Sequence, residues 1–336
     1  MVDLSTSWLG LSLVSPLIVG ASPLSKDTDA VAAAVEAGAG AVIMYSLFEE
    51  QLAAEQMAAH RFLDIRTDSD AEARTFMPDL DVFSLDAEPY VRQLERLRKR
   101  VTIPVIASLN GTTAGGWTRY AKTLESAGAS ALELNLYEIA TSAEEEGAEV
   151  EQRQLDLVET IARAVAIPVT VKLSPFYSAL PAFVRRLAGV GARGVAVFNR
   201  FYQPDVDLDT LGVDRHLVLS TSSELPLRLH ALAILGARSK LDLACTGGVH
   251  TGRDAAKAIL CGAHVVQLAS ALLQHGPAHV AVVRAELEAW LGEKGYRTST
   301  EARGVLNLDG APDPEAWERL NYTQILAGWR SSGGVP

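Results

Sequence analysis

The polar residues best suited to chemistry fall at one kind of place. Ser22, Asn110, Asn135, Lys172 and Asn199 each stand at or just beyond the end of a short apolar run, and Thr246-Gly247-Gly248-Val249 and Ala269-Ser270 close two more. One amide at a strand end is ordinarily a satisfied turn residue, and a lone strand lysine ordinarily reaches out to solvent. Five such side chains on one rim suit a different use. Asn and Lys donors around a buried ring match an aromatic cofactor with carbonyl and ring-nitrogen acceptors, the lysine stabilising negative charge as that ring is reduced. Gly247-Gly248 lets backbone N–H groups approach an anion closely and Ser270 adds a hydroxyl, so these two strand ends read as a phosphate site, with an ordinary turn as the alternative.

A shared rim requires a fold that ends many strands on one face. Four places repeat one pattern, a helical stretch ending at a Gly-Ala pair and a short apolar run directly after it: Gly38-Ala39 before Ala41 to Tyr45, Gly128-Ala129 before Ala131 to Leu136, Gly191-Ala192 before Gly194 to Asn199, and Gly262-Ala263 before His264 to Ser270. Glycine supplies the left-handed turn that ends a helix, and the run after it is a strand buried on both faces. Leu17 to Ser22, Pro104 to Leu109, Pro168 to Leu173 and Leu241 to Gly247 complete a set of eight runs. Crossover helices are expected at Glu88 to Val101, Trp117 to Ala127, Glu151 to Val165, Leu180 to Leu187 and Leu225 to Ala237. Eight such units without a Gly-x-Gly-x-x-Gly fingerprint predict an α/β protein with a closed (β/α)8 TIM barrel, over an open sheet of six to eight strands.

The barrel is expected over residues 1–300 as a single domain, with an insertion at about 46–87 after the second strand and a C-terminal extension at 301–336. The insertion leaves a strand's C-terminal end, which makes it a lid, a pocket wall or a dimer contact. In the extension, Asn307 to Pro314 reads as turn and Pro314 to Trp329 as a short helix.

With 30 Lys+Arg against 41 Asp+Glu, the net charge is −11 and no basic block is present, which argues against nucleic acid and anionic membrane surfaces as partners. The most apolar stretch, Ala255 to Leu273, is broken by Lys257, Gly262, His264 and Gln267, so no membrane span is expected, and the N-terminal residues lack the pattern of a signal peptide. The two cysteines, Cys245 and Cys261, form neither a disulfide framework nor a metal cluster. A reducing, cytoplasmic setting and no bound metal follow as expectations.

Read in order, Ala21-Ser22-Pro23, Glu133-Leu134-Asn135, Pro168 to Pro175, Phe198-Asn199, Thr246 to Val249 and Leu268 to Leu272 resemble the flavin-binding pattern of the dihydroorotate dehydrogenases. Within that family, Ser46 to Gln51, Ser108 to Gly111, Gly147 to Gln152 and Phe198 to Asp205 are most similar to the bacterial dihydroorotate dehydrogenase-like proteins, over about residues 3 to 300. The resemblance implies an FMN-dependent oxidoreductase that oxidises dihydroorotate, or a related cyclic substrate, to orotate by hydride transfer to FMN, in pyrimidine biosynthesis. It implies a homodimer with an unidentified electron acceptor. Carried over by position, Ala21, Ser22 and Asn110 contact the flavin, Asn135 and Lys172 its polar edge, Asn199 the flavin or substrate, and Gly247, Gly248, Ala269 and Ser270 the phosphate.

The chain departs from that pattern where the substrate is handled. The family's strand-four motif carries a catalytic cysteine and a substrate-binding asparagine; here those positions hold Glu138 and Ala140, and Tyr45 replaces the lysine after strand two. Glu138 is a candidate base if burial tunes it, or a solvated acid beside Glu144-Glu145-Glu146. Tyr137 is a second candidate through its phenol, with rim packing as the alternative. His250 is expected to cap the helix after the Gly-Gly turn rather than to face the phosphate. Two other readings stay open: a flavin-binding paralogue with a different redox substrate, and a non-redox barrel lyase or isomerase with a phosphate-bearing ligand.

Overall fold

A computed structural model describes residues 2–48, 87–110, 114–200, 204–214, 217–318, 322 and 328. The chain opens with an antiparallel hairpin, β1 (Thr6–Trp8) and β2 (Leu11–Leu13). The strands β3 (Leu17–Val19), β4 (Val42–Phe48), β5 (Val105–Asn110), β6 (Ala131–Asn135), β7 (Val169–Leu173) and β8 (Gly194–Val197) follow. A second small hairpin pairs β9 (Asp205–Asp207) with β10 (Gly212–Asp214) before β11 (Asp242–Thr246) and β12 (Val265–Leu268). β3 to β8, β11 and β12 close into one parallel barrel, β12 pairing back onto β3 through Val266↔Leu17. Helices α1 (Thr28–Glu36), α2 (Glu88–Arg100), α3 (Ala114–Ser126), α4 (Gly147–Ala164), α5 (Leu180–Gly189), α6 (Leu225–Arg238) and α7 (Gly252–Leu260) lie between the strands, followed by α8 (Ser270–His275), α9 (His279–Glu293) and α10 (Ser299–Ala302). The fold is the (β/α)8 barrel that the alternation predicts.

The recurrent glycines do what the pattern requires. Gly38 and Gly128 have φ of +102° and +89°, and the residue after each bonds back into its helix, Ala39 to Ala34 and Ala129 to Leu124. The chain then turns directly into a strand.

Two-residue alternation sets what each strand turns inward. Ile18, Ile43, Ile106, Ala131, Ala196, Ala244 and Val265 meet inside the barrel, where they pack with Trp8, Leu9 and Leu13 of the opening hairpin. Trp8 is fully buried and seals the N-terminal mouth. One step further along the same inward rows stand Ser108, Glu133, Thr170 and Gln267, all buried. A further step reaches Asn110, Asn135 and Lys172 at the C-terminal rim. Apolar floor and polar roof are thus consecutive layers of one barrel.

The hairpin is stitched to a distant segment. Asp3 bridges to Thr298, its N–H donates to Arg297 O, and Ser299 N–H donates to Asp3 O. Past α10, residues 304–308 cross the ends of α6 and α7, with Leu306 N–H on Leu260 O and Leu308 N–H on Ala233 O.

Two boundaries differ from expectation. β4 runs to Phe48, so Ser46, Leu47 and Phe48 extend the strand rather than begin the insertion; Ser46 pairs with Ser108 after a register shift beyond Ile43. The rest of the expected insertion, 49–86, lies outside the described residues. Pro314–Trp317 forms a 3-10 helix that ends at an extended Glu318, and most of the remaining segment to Trp329 lies outside the described residues.

Candidate active site

The centre of the rim is an ion pair inside the barrel. Glu133 on β6 is fully buried and Lys172 on β7 is 8% exposed, with Lys172 Nζ 3.7 Å from Glu133 Oε1. The other carboxylate oxygen, Oε2, accepts a hydrogen bond from Gln267 Nε2 at 2.8 Å. A buried charge is tolerated when it is paired and hydrogen-bonded, and each of these groups answers the next. Glu133 and Gln267 were not singled out as site residues from sequence. The available signal was a charged and an amide residue inside otherwise apolar strand runs.

Above this pair stand two amides. Asn135 is in register with Lys172, and Asn199 Nδ2 donates to Asn135 Oδ1 at 2.6 Å. Asn110 ends β5 on the same rim. Ser22, just beyond β3, is buried and its Oγ has no hydrogen-bond partner among the described residues; its carbonyl accepts from both Ser25 N–H and Ser25 Oγ. Ala21 packs against the apolar floor cluster. Tyr45 lies edge-on to Tyr90, with Lys26 Nζ 4.9 Å from its ring centroid.

The Gly-Gly turn is held by residues that sequence reasoning passed over. Gly247 and Gly248 have φ of +83° and +76°. Ser220, 2% exposed, links three loops: its Oγ accepts from Gly248 N–H (3.3 Å), its N–H donates to Ser270 Oγ (3.1 Å), and His250 Nε2 lies 3.5 Å from its Oγ. Ala269 and Ser270 begin α8 across from the turn. Arg228, also buried, donates through Nε to Thr246 O at 3.0 Å and packs beneath Gly247, while Arg200 pairs with Glu224. Burial lowers the pKa of Arg228 and of the His250 imidazole. His250 is not the helix cap: Thr251 Oγ1 accepts from Asp254 N–H, and Asp254 Oδ2 accepts from the N–H groups of His250 and Thr251. The box fits a hydroxyl and a short carboxylate three residues apart, which His250 cannot supply.

The loop after β6 carries Tyr137 and Glu138. Tyr137 is half-buried and its N–H donates to Asn135 O. Glu138 is ion-paired to Arg153 on α4, which also binds Glu145 at 2.7 Å, and these two carboxylates raise the Arg153 pKa. The Glu138 side chain is 35% exposed. Its carboxylate is therefore engaged by a guanidinium at the edge of the loop rather than free in solvent. Burial pushes the Cys245 and Cys261 thiols up to about 12, so neither offers a thiolate near neutrality. Among the described residues, no group of three or more His, Cys, Asp or Glu side chains is placed to hold a metal ion, and no helix is long and apolar enough to cross a membrane.

A cavity of about 870 Å³ runs outward from Asn110 and Asn135, past Tyr137 and Glu138, to the first turns of α4. The set fits FMN on its own chemistry. Among the described residues, Ser22 Oγ, Glu133 Oε1 and Gln267 Oε1 are buried without hydrogen-bond partners, as suits a ring with its own donors and acceptors, and Gly247 and Gly248 turn the chain through a backbone conformation that L side chains rarely adopt.

A family model described as dihydroorotate dehydrogenase matches residues 3–291. The chain is 28% identical over 330 residues to the chloroplastic dihydropyrimidine dehydrogenase (NADP(+)) of Arabidopsis thaliana, spanning 90% of this chain and 76% of that protein. It is 29% identical over 222 residues to a putative dihydroorotate dehydrogenase A (fumarate) of Aeropyrum pernix, covering 63% and 71% of the two chains. It is also 29% identical over 232 residues to the catalytic subunit of a dihydroorotate dehydrogenase B (NAD(+)) of Desulforudis audaxviator, covering 66% and 74%. With the barrel and its rim of strand-end polar groups, these matches establish that the chain belongs to the dihydroorotate dehydrogenase family.

Proposed function

We propose that the protein is an FMN-dependent oxidoreductase that oxidises a CH–CH bond in a small cyclic substrate, dihydroorotate or a related dihydropyrimidine-type ring. The observation that carries this reading is the buried Lys172–Glu133–Gln267 group beneath the Asn135–Asn199 amide pair. Bound FMN would supply the hydride acceptor. Lys172 offers a cation at the ring edge, where negative charge grows on reduction, and Glu133 holds that cation in place. Asn135 and Asn199 fix orientation through amide hydrogen bonds; Ser22 and Ala21 back the ring. Gly247, Gly248, Ala269 and Ser270 receive the phosphate, with Ser220 tying their loops together.

A second reading, a flavin-binding paralogue with a different redox substrate, is favoured by one observation. The family's cysteine position holds Glu138, its carboxylate bound by Arg153, and both cysteines of the chain are buried elsewhere. Tyr137 then becomes the nearest candidate proton donor on that loop. The absorbance spectrum of the purified protein tests the cofactor, and anaerobic bleaching by dihydroorotate tests the substrate. A colourless protein that takes up no FMN overturns the flavin reading in favour of a non-redox barrel enzyme. A yellow protein bleached by dithionite but not by saturating dihydroorotate supports the paralogue.

A further inference from the structure

We infer that the cavity beside the strand-end amides selects an uncharged cyclic amide over a ring that bears a carboxylate, an inference that rests on the flavin-dependent reading above. Its inner end presents Asn110 and Asn135, whose amides complement the N–H and C=O groups of a neutral ring. Its walls carry Glu138, Glu149 and Asp156 against a single cation, Arg153, a balance of two net negative charges among the described lining residues.

That one cation is already committed. Arg153 is clamped between Glu138 and Glu145, so its charge is already answered by two carboxylates before a substrate arrives. The helix end nearby is answered as well. Glu149 Oε2 accepts the Glu146 N–H at 3.1 Å, which places a carboxylate where the amino end of α4 would otherwise attract an anion. On the barrel side, Lys172 is held by Glu133. Arg200 and Arg228 both lie within ion-pair distance of Glu224, at the Gly-Gly side of the rim, and Arg186 on α5 pairs with Glu151 outside the cavity. Trp117, Leu136 and Leu157 supply apolar wall. A carboxylate entering here loses water and meets like charge, whereas a neutral amide loses only hydrogen bonds that Asn110 and Asn135 return. Discrimination of this kind works by repelling the wrong ligand.

The test uses the FMN-loaded protein and two product-type ligands that differ by one carboxylate, uracil and orotate, each titrated by the flavin difference spectrum and by calorimetry. Uracil is expected to bind at least about tenfold more tightly than orotate. Glu138→Gln removes one wall charge and one of the two carboxylates that hold Arg153, so orotate should tighten about tenfold in that variant while uracil changes by less than about threefold. Anaerobic stopped-flow reduction by dihydrouracil and dihydroorotate should rank the same way. Orotate binding as tightly as uracil, an affinity ratio unmoved by Glu138→Gln, or no binding of either ligand overturns the inference. Flavin content is read first and separates the two claims. A colourless protein fails the flavin reading itself, and a yellow protein that prefers orotate fails only the choice of substrate.

Discussion

Glu133 and Lys172 face one another from adjacent barrel strands, Oε1 3.7 Å from Nζ, with Glu133 wholly sequestered from solvent. The pair is a structural and a chemical unit together. Glu133 limits how much positive charge Lys172 lends to whatever lies above it, and Lys172 makes a buried carboxylate tolerable.

Breaking that unit from one side should cost more than removing both charges. Lys172→Met leaves Glu133 buried beside only Gln267, and a loss on the order of 3 kcal/mol is expected in urea unfolding. Combined with Glu133→Gln, the loss should shrink, giving a coupling energy of at least about 1 kcal/mol in a double-mutant cycle. Simple additivity of the two changes would show that the pair is not coupled.

The amide pair at the rim should govern cofactor retention. Asn199→Leu strips the 2.6 Å bond from Asn135 and removes one ring-facing amide. FMN should dissociate about tenfold more readily, as read by recovery of flavin fluorescence, while the unfolding midpoint of the apoprotein moves little. Unchanged retention would place the flavin elsewhere.

Acid should weaken the floor of the barrel through His264. Its Nδ1 accepts the Leu243 N–H at 3.1 Å, and its Nε2 lies 3.2 Å from Asp242 Oδ1. Burial, with Arg303 acting in the same direction and Asp242 opposing, holds this imidazole at about 4 against an ordinary 6.5. The unfolded chain therefore takes up the proton first. Stability should fall as pH drops from 6.5 towards 4, by up to about 1.4 kcal/mol per pH unit, and His264→Gln should flatten that slope. Parallel slopes for wild type and variant across pH 4 to 7, by urea midpoints, would assign the acid sensitivity to other groups.

The packing of α7 on α9 should be intolerant of a single methyl group. A Cβ on Gly252 would lie 2.3 Å from Leu287 N and 2.4 Å from Glu286 Cβ, and Gly252 N–H already donates to Glu286 Oε2. Gly252→Ala is expected to cost about 1–3 kcal/mol and lower Tm by several degrees. Gly189→Ala, whose added Cβ meets nothing within 4 Å, should leave Tm unchanged or slightly raised.

The barrel was legible because its punctuation is local. A glycine turn such as Gly128 and the β-branched or apolar run after it lie within a few residues, so each strand from Leu17 to Leu268 could be located in the sequence, with its start placed more closely than its end. The rim was legible for the same reason, since Asn110 and Asn135 end their strands. What escaped depends on closure. Glu133 and Gln267 are 134 positions apart, and only the ring decides that both point inward. The partner of Glu138 depends on how α4 turns Arg153 back towards β6, a matter of helix phase. Ser220 and Arg228 act by joining loops, which no single stretch of residues displays.

The seam between Asp3 and Thr298 has a consequence for how the protein is made. The opening hairpin plugs the barrel with Trp8, yet the backbone bonds that fix it come from residues 297 and 299. A nascent chain can pair β3 with β4 early, whereas the hairpin waits for Asp242, which accepts the Leu9 N–H, and the backbone bonds at Asp3 wait until residues 297 and 299 have been synthesised. The hairpin, early in this sequence, is thus among the last elements to receive all of its bonds. Slowed translation beyond α9 should therefore prolong the stage at which Trp8 is open to chaperones and proteases.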